Sequence, residues 1–106
     1  GLSGCLTKFE KDIQRASDSE EFPGVAIILK NLEPSSISLY KDEIESWTNL
    51  EVSVGKIVEG KIPILDVKMA KGMEFRYVVV DPEEMTENDK YIAYTRAMEK
   101  LYIVEE

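Results

Sequence analysis

The stretch Tyr77-Val78-Val79-Val80 decides the fold class, because its hydrophobic side chains follow one another without polar interruption. A strand with one face in water alternates apolar and polar residues, whereas a strand covered on both faces does not. The upstream stretch Val25–Leu29 has the same character. Both stretches therefore predict central strands of a mainly parallel sheet, the kind of sheet that is buried on both faces.

Apolar residues recur at helical spacing in the segment that follows the first of these strands. They are Ile37, Tyr40, Ile44 and Trp47. This spacing predicts an amphipathic helix, capped at its start by Ser35 or Ser36. Similar spacing near the N-terminus predicts a first helix and a linker within residues 1–23, and we assign no function to them.

Two stretches rich in β-branched residues, 52–58 and 62–67, predict short strands joined through Glu59-Gly60-Lys61. Pro63 lacks the N–H that a strand donates to its neighbour, so we expect the second of these strands to begin at a sheet edge or a bulge.

The pair Thr86 and Asp89 has the T-x-x-D form that starts helices. We expect a helix from there to about residue 100, followed by a last strand at residues 101–104. Helical spacing places Tyr91 and Met98 on the core side of that helix. Two further methionines, Met69 and Met73, are expected to fill gaps in the core.

Strands that alternate with helices predict an α/β fold in which helices cover both faces of a mainly parallel sheet, a three-layer sandwich. The length of 106 residues fits a single domain, 1–106.

The composition excludes several classes of function. The only cysteine is Cys5 and there is no histidine, which excludes an internal disulfide, Cys/His zinc sites and catalysis by an imidazole base. A net charge of -8 argues against this chain alone gripping a nucleic-acid backbone. No apolar stretch approaches the roughly 20 residues that cross a bilayer. We expect a cytoplasmic protein without a membrane partner, and, because the chain begins with Gly1, a part of a longer protein.

Lys71 and Gly72, with Glu74 close behind, form a charged turn directly before the valine strand. Ligands of parallel sheets bind beyond the carboxyl ends of the strands, and this turn can follow such an end. A lysine, a glycine that permits close approach and a carboxylate would suit a phosphate and a ribose hydroxyl. Taken alone, these residues are more often an ordinary surface loop. Likewise Arg96 can point into a cleft or be a solvated helix residue.

Two motifs in this order resemble the last two motifs of the UvrD/Rep-like superfamily 1 DNA helicases. The first family motif is approximately T-x-H-x-x-K-G-L-E-F, and this chain has Lys71-Gly72-Met73-Glu74-Phe75 before a hydrophobic strand. The second is Y-V-A-x-T-R-A-[RK]-x-x-L, and this chain has Tyr91-Ile92-Ala93-Tyr94-Thr95-Arg96-Ala97 with Leu101 in register. The stretch 25–31 with its following helix resembles the start of the family's second RecA-like domain. The branch related to the RNA-polymerase-associated helicase HelD is the most similar.

The resemblance implies a C-terminal RecA-like domain and assigns roles to five residues. Arg96 would be the arginine finger that contacts the γ-phosphate of ATP. Glu74 would bind the ribose hydroxyl, Gly72 would let the backbone approach the nucleotide, and Lys71 would support the ATP cleft electrostatically. Lys68 stands where the family has a histidine near single-stranded DNA.

Departures from the family pattern concern DNA and magnesium. The family's threonine is Asp66 here, and the basic residue after T-R-A is Met98, so positive charge is reduced. The sequence contains no G-x-x-x-x-G-K-[ST], hence no phosphate-binding loop and no Ser/Thr for Mg²⁺. The resemblance then implies that ATP and Mg²⁺ bind with an N-terminal RecA-like domain of the same parent chain, and that this domain alone is inactive.

Two alternatives remain open at this point. A helicase-derived domain without a motor role could bind RNA polymerase or a DNA-repair protein, which the acidic composition favours. An independent flavodoxin-like receiver domain would need carboxylates at adjacent strand ends to hold magnesium, a role that Asp66 and Asp81 could imitate.

Overall fold

Parallel strands form one sheet in a computed structural model of the chain, which describes residues 24–47 and 50–104. The strands of these residues are β1 (Val25–Leu29), β2 (Glu51–Val54), β3 (Lys61–Asp66), β4 (Phe75–Val80) and β5 (Ala97–Ile103). The helices are α1 (Pro34–Trp47), α2 (Val67–Ala70) and α3 (Glu87–Tyr94). The strand order is β2-β3-β1-β4-β5, and every neighbouring pair is parallel. The predicted α/β sandwich with a mainly parallel sheet is therefore confirmed at this level.

The two uninterrupted hydrophobic stretches are central strands, as predicted. Every residue of β1 is buried, and β1 pairs with β3 on one side and with β4 on the other. Because successive side chains of a strand point to opposite faces, Ile27 packs with α1 and Ile28 packs with α2 and α3. Burying a side chain of this size stabilises the fold by about 1.5–3 kcal/mol.

The helices lie on opposite faces according to the direction in which each connection runs. From β1 the chain moves to β2 through α1, whose Tyr40 and Ile44 pack on one face. From β3 to β4, and from β4 to β5, it moves the other way through α2 and α3, whose Ala70 and Ala93 pack on the other face. Opposite directions on opposite faces are what one handedness of crossover requires.

Several predicted boundaries are wrong. Helix α1 begins at Pro34, because proline suits a first helical position and the Glu33 carbonyl accepts the first bond from the Ile37 N–H at 2.9 Å. Strand β2 ends at Val54, so the expected strand to residue 58 is a loop from there on.

The second β-branched stretch also differs from expectation at both ends. Val67 begins α2 instead of ending β3. Pro63 lies inside β3, an interior strand, and the expectation of an edge or bulge is wrong. The pairing explains this, since Pro63 is in register with β2 whereas the register with β1 begins only at Ile64.

The last helix is shorter than predicted. The Thr86 and Asp89 side chains form the expected capping box, but α3 ends at Tyr94 and residues 97–100 belong to β5. Tyr91 and Met98 are 70% and 65% exposed, so their assignment to the core is wrong.

The expectation that two further methionines fill the core is also wrong. Met69 and Met73 are 38% and 37% exposed and do not fill the core. The N-terminal helix and linker predicted within residues 1–23 lie outside the described residues. In the described part of the chain, no helix combines the length and apolar character needed to cross a membrane.

Candidate functional site

The Lys71-Gly72 turn is a type II β-turn between α2 and β4. The Met73 N–H donates to the Ala70 carbonyl at 3.0 Å, which closes the turn. Lys71 has φ -58° and ψ 126°, and Gly72 has φ +84°. A type II turn requires a positive φ at its third position, which only glycine adopts without strain. The glycine therefore has a structural reason at this position, independent of any ligand.

Arg96 lies beside this turn, although the two are far apart in the sequence. It follows the last turn of α3, and its guanidinium Nη1 donates to the Met73 carbonyl at 3.2 Å. The Phe75 N–H donates in return to the Arg96 carbonyl at 2.9 Å, where β4 and β5 begin to pair. The structure thus brings Arg96 next to the predicted K-G-M-E-F motif, and within the described ranges Arg96 forms no ion pair.

A β-bulge directly follows Arg96. Phe75 is in register with Ala97 but Tyr77 with Lys100, so β5 advances by three residues where β4 advances by two. Such an extra residue bends a strand and re-aims its neighbours. An ion pair between Arg76 Nε and Glu99 Oε1 at 3.1 Å joins the two strands at the bulge.

An open cleft of about 480 Å³ lies beyond the carboxyl ends of β1 and β3, beside α2 and the start of α3. Its charged lining residues are Lys30, Lys68, Lys71, Asp66 and Asp89. Lys68 and Lys71 are exposed, and among the described residues neither forms an ion pair. The structure therefore places the lysine predicted for DNA and the lysine predicted for ATP on one cleft.

The acidic residues of the cleft are held by specific partners. Asp66 caps α2, since its Oδ1 accepts from the Met69 N–H at 2.8 Å. Asp89 Oδ2 accepts from Lys30 Nζ at 2.7 Å and from the Thr86 N–H at 2.9 Å. These hydrogen bonds, first of all that from Lys30, lower the pKa of Asp89 below its ordinary value.

Glu74 and Gly72 do not line this cleft. Glu74 is exposed at the start of β4, and a Cβ added at Gly72 would meet no heavy atom within 4 Å. Open space at Gly72 leaves the backbone accessible to a ligand. Of the five predicted site residues, Lys68 and Lys71 line the cleft. Gly72 lies in the turn itself, and Glu74 and Arg96 lie beside it.

The chain matches no protein-family model and no curated protein.

The geometry disfavours a receiver domain. Asp66 and Asp81 do not end adjacent strands, because β1 lies between β3 and β4. Asp81 instead accepts a hydrogen bond from the buried Tyr40 hydroxyl at 2.7 Å. The strand order also differs from the flavodoxin-like order, in which the first strand lies between the second and the third. Within residues 24–47 and 50–104, no group of three or more Asp, Glu, Cys or His residues could hold a metal ion.

Sequence reasoning missed two residues of the site, Lys30 and Thr95. Lys30 follows β1 directly and forms the ion pair with Asp89. Its position at the carboxyl end of a buried strand was a usable signal. Thr95 lies within the helix that the sequence predicts to about residue 100, and its hydroxyl accepts a hydrogen bond from Arg96 Nη2 at 2.9 Å, a contact that no sequence pattern predicts.

Proposed function

We propose that this chain is the C-terminal RecA-like domain of an ATP-dependent DNA helicase or translocase of the UvrD/Rep-like kind. The observation that carries the proposal is the 3.2 Å contact between Arg96 Nη1 and the Met73 carbonyl. This contact joins the two helicase-like motifs into one surface. If the two stretches resembled the family motifs only by chance, there would be no reason for them to lie in contact. The parallel sheet with helices on both faces fits a RecA-like domain.

In this proposal the chain supplies one side of an ATP site. The other side, with the phosphate-binding loop and the Mg²⁺ ligands, belongs to an N-terminal RecA-like domain of the parent protein. ATP supplies the free energy of the cycle when it is hydrolysed between the two domains. Closure and reopening of the domains would then move the cytoplasmic protein along single-stranded DNA.

The residues of this chain fit an anionic ligand of that kind. Arg96 is a permanent planar cation that stabilises charge on a transferring phosphoryl group. The exposed Lys71 adds a second positive charge and Lys68 a third, which we assign to a DNA phosphate. Glu74 is exposed and forms no ion pair within the described ranges, so its carboxylate can accept from a ribose hydroxyl.

One observation favours a second candidate, a helicase-derived domain that binds RNA polymerase or a repair protein without its own ATPase activity. Asp66 and Asp89 line the same cleft as the lysines, and the whole chain carries a charge of -8. Both features weaken attraction for a nucleic-acid backbone. A phosphate-binding loop in the parent protein separates the two candidates, because only the motor requires it.

The test is ATP hydrolysis by the parent protein, stimulated by single-stranded DNA, with Arg96→Ala. Loss of an arginine finger lowers kcat by about 10³-fold or more. Arg96→Lys keeps the charge but loses the planar fork, and it should remain strongly impaired. Lys90→Ala is the control on helix α3, which directly precedes Arg96, since the Lys90 side chain pairs among the described residues only with the exposed Glu87, at 3.5 Å. An Arg96→Ala protein that folds and keeps kcat within about tenfold of wild type would overturn the proposal.

A further inference from the structure

The Arg96 guanidinium is held by three acceptors, all of them uncharged. Its Nε–H donates to the Ile92 carbonyl at 2.9 Å, Nη1 to the Met73 carbonyl at 3.2 Å, and Nη2 to the Thr95 hydroxyl at 2.9 Å. A guanidinium has five N–H donors. One N–H on each terminal nitrogen therefore remains, and the described residues offer no further acceptor to either.

The Thr95 hydroxyl has a defined direction. It donates to α3, where the Tyr91 and Ile92 carbonyls lie 2.8 and 3.1 Å from Oγ1. Since its single proton is directed to the helix, a lone pair of the oxygen faces Arg96 Nη2. The hydroxyl thus connects the guanidinium to the last turn of α3.

We propose that Thr95 is a positioning residue for Arg96, an inference that rests on the proposed function. Thr95 and the Met73 carbonyl fix the guanidinium before any ligand arrives, and two N–H groups remain for a bidentate contact with phosphate oxygens. A free arginine side chain must lose rotamer entropy when it is ordered. In this structure the Arg96 side chain is already ordered when the domain folds. Its loss of rotamer entropy therefore does not oppose the later contact with a phosphate.

The bulge after Arg96 helps to fix the backbone from which the guanidinium extends. It sets where the chain leaves α3 and enters β5, and the Arg76–Glu99 pair holds the two strands together there. The backbone of Arg96 is therefore fixed from both sides, by the Ala93 carbonyl on its N–H at 3.2 Å and by the Phe75 N–H on its carbonyl at 2.9 Å.

The test compares Thr95→Val with Thr95→Ser in the parent protein. Valine has the shape of threonine without the hydroxyl, whereas serine retains the hydroxyl. We expect Thr95→Val to lower kcat for ATP about tenfold with little change in KM, because a hydrogen bond to a charged group is lost. Thr95→Ser should stay within about twofold of wild type. Thr95→Val should add nothing to Arg96→Ala, because the two side chains act as one unit.

The outcomes separate this inference from the proposed function. Equal kcat for Thr95→Val and Thr95→Ser, with Arg96→Ala still inactive, would overturn the role of Thr95 and leave the proposed function standing. An active Arg96→Ala protein would overturn both.

A second measurement uses this chain itself. Nitrogen-15 NMR follows the exchange of the Arg96 Nη2 protons with water, and we expect it to be several times faster in Thr95→Val than in Thr95→Ser, because Nη2 donates to the Thr95 hydroxyl. If Thr95→Val does not fold, Thr95→Ala takes its place in both measurements. The same exchange rate in the folded variants would contradict the positioning role.

Discussion

Replacing Gly72 by alanine tests whether the glycine serves the turn, a ligand, or both. Its φ of +84° places an L-residue in a left-handed conformation that costs roughly 1–2 kcal/mol. A Cβ there would meet no heavy atom within 4 Å, so no steric clash adds to this cost. Alanine also restricts the unfolded chain, which offsets about 0.4–1 kcal/mol. We therefore expect Gly72→Ala to lower the free energy of unfolding by about 1 kcal/mol.

Gly60 is a matched control, because its φ is +83° and a Cβ there also meets nothing within 4 Å. It lies in the loop before β3, away from the Arg96 contact. In urea unfolding of this chain, Gly60→Ala and Gly72→Ala should lose similar stability. In the parent protein only Gly72→Ala should lower ATPase activity, since its methyl group would occupy the open space in which the backbone approaches the proposed nucleotide. A loss of stability at Gly72 more than about 2 kcal/mol above that at Gly60 would refute the reasoning from φ and open space.

Two further predictions concern stability. Tyr40→Phe removes the hydrogen bond that the buried hydroxyl donates to Asp81 at 2.7 Å, and urea unfolding should show a loss of about 1.5 kcal/mol; no measurable loss would mean that water replaces the hydroxyl. The lowered pKa of Asp89 implies that its contribution to stability is present above its ordinary value of 3.8 and is lost as pH falls through the lower folded value. In Asp89→Asn that part of the acid dependence should disappear from thermal unfolding curves, and an unchanged pH profile would contradict the assignment to the Lys30 pair.

The central sheet was predictable because burial on both faces leaves a direct mark on composition. Residues 25–29 and 77–80 show it, and both are fully enclosed strands. The strand order was not predictable, since no local pattern states that β1 inserts between β3 and β4. For that reason the sequence allows Asp66 and Asp81 to end adjacent strands, although β1 lies between their strands in the sheet.

The error at the end of α3 has a definite physical cause. Ala97, Met98, Glu99 and Lys100 are all good helix formers, so local propensity extends the helix through them. Pairing with β4 overrides that preference and makes them a strand. Because an edge strand exposes much of its surface, Met98 is in contact with water instead of the core.

The candidate site depends on a contact between residues that are 23 positions apart, and this separation is why the sequence alone could only list its members. The Met73 carbonyl belongs to the closed turn at Lys71-Gly72, and the same carbonyl accepts from the Arg96 guanidinium. A ligand that displaces the turn must therefore either carry the guanidinium with it or break their hydrogen bond. The turn and the arginine are thus coupled through this hydrogen bond, a coupling that the proposed ATP site between two domains would use.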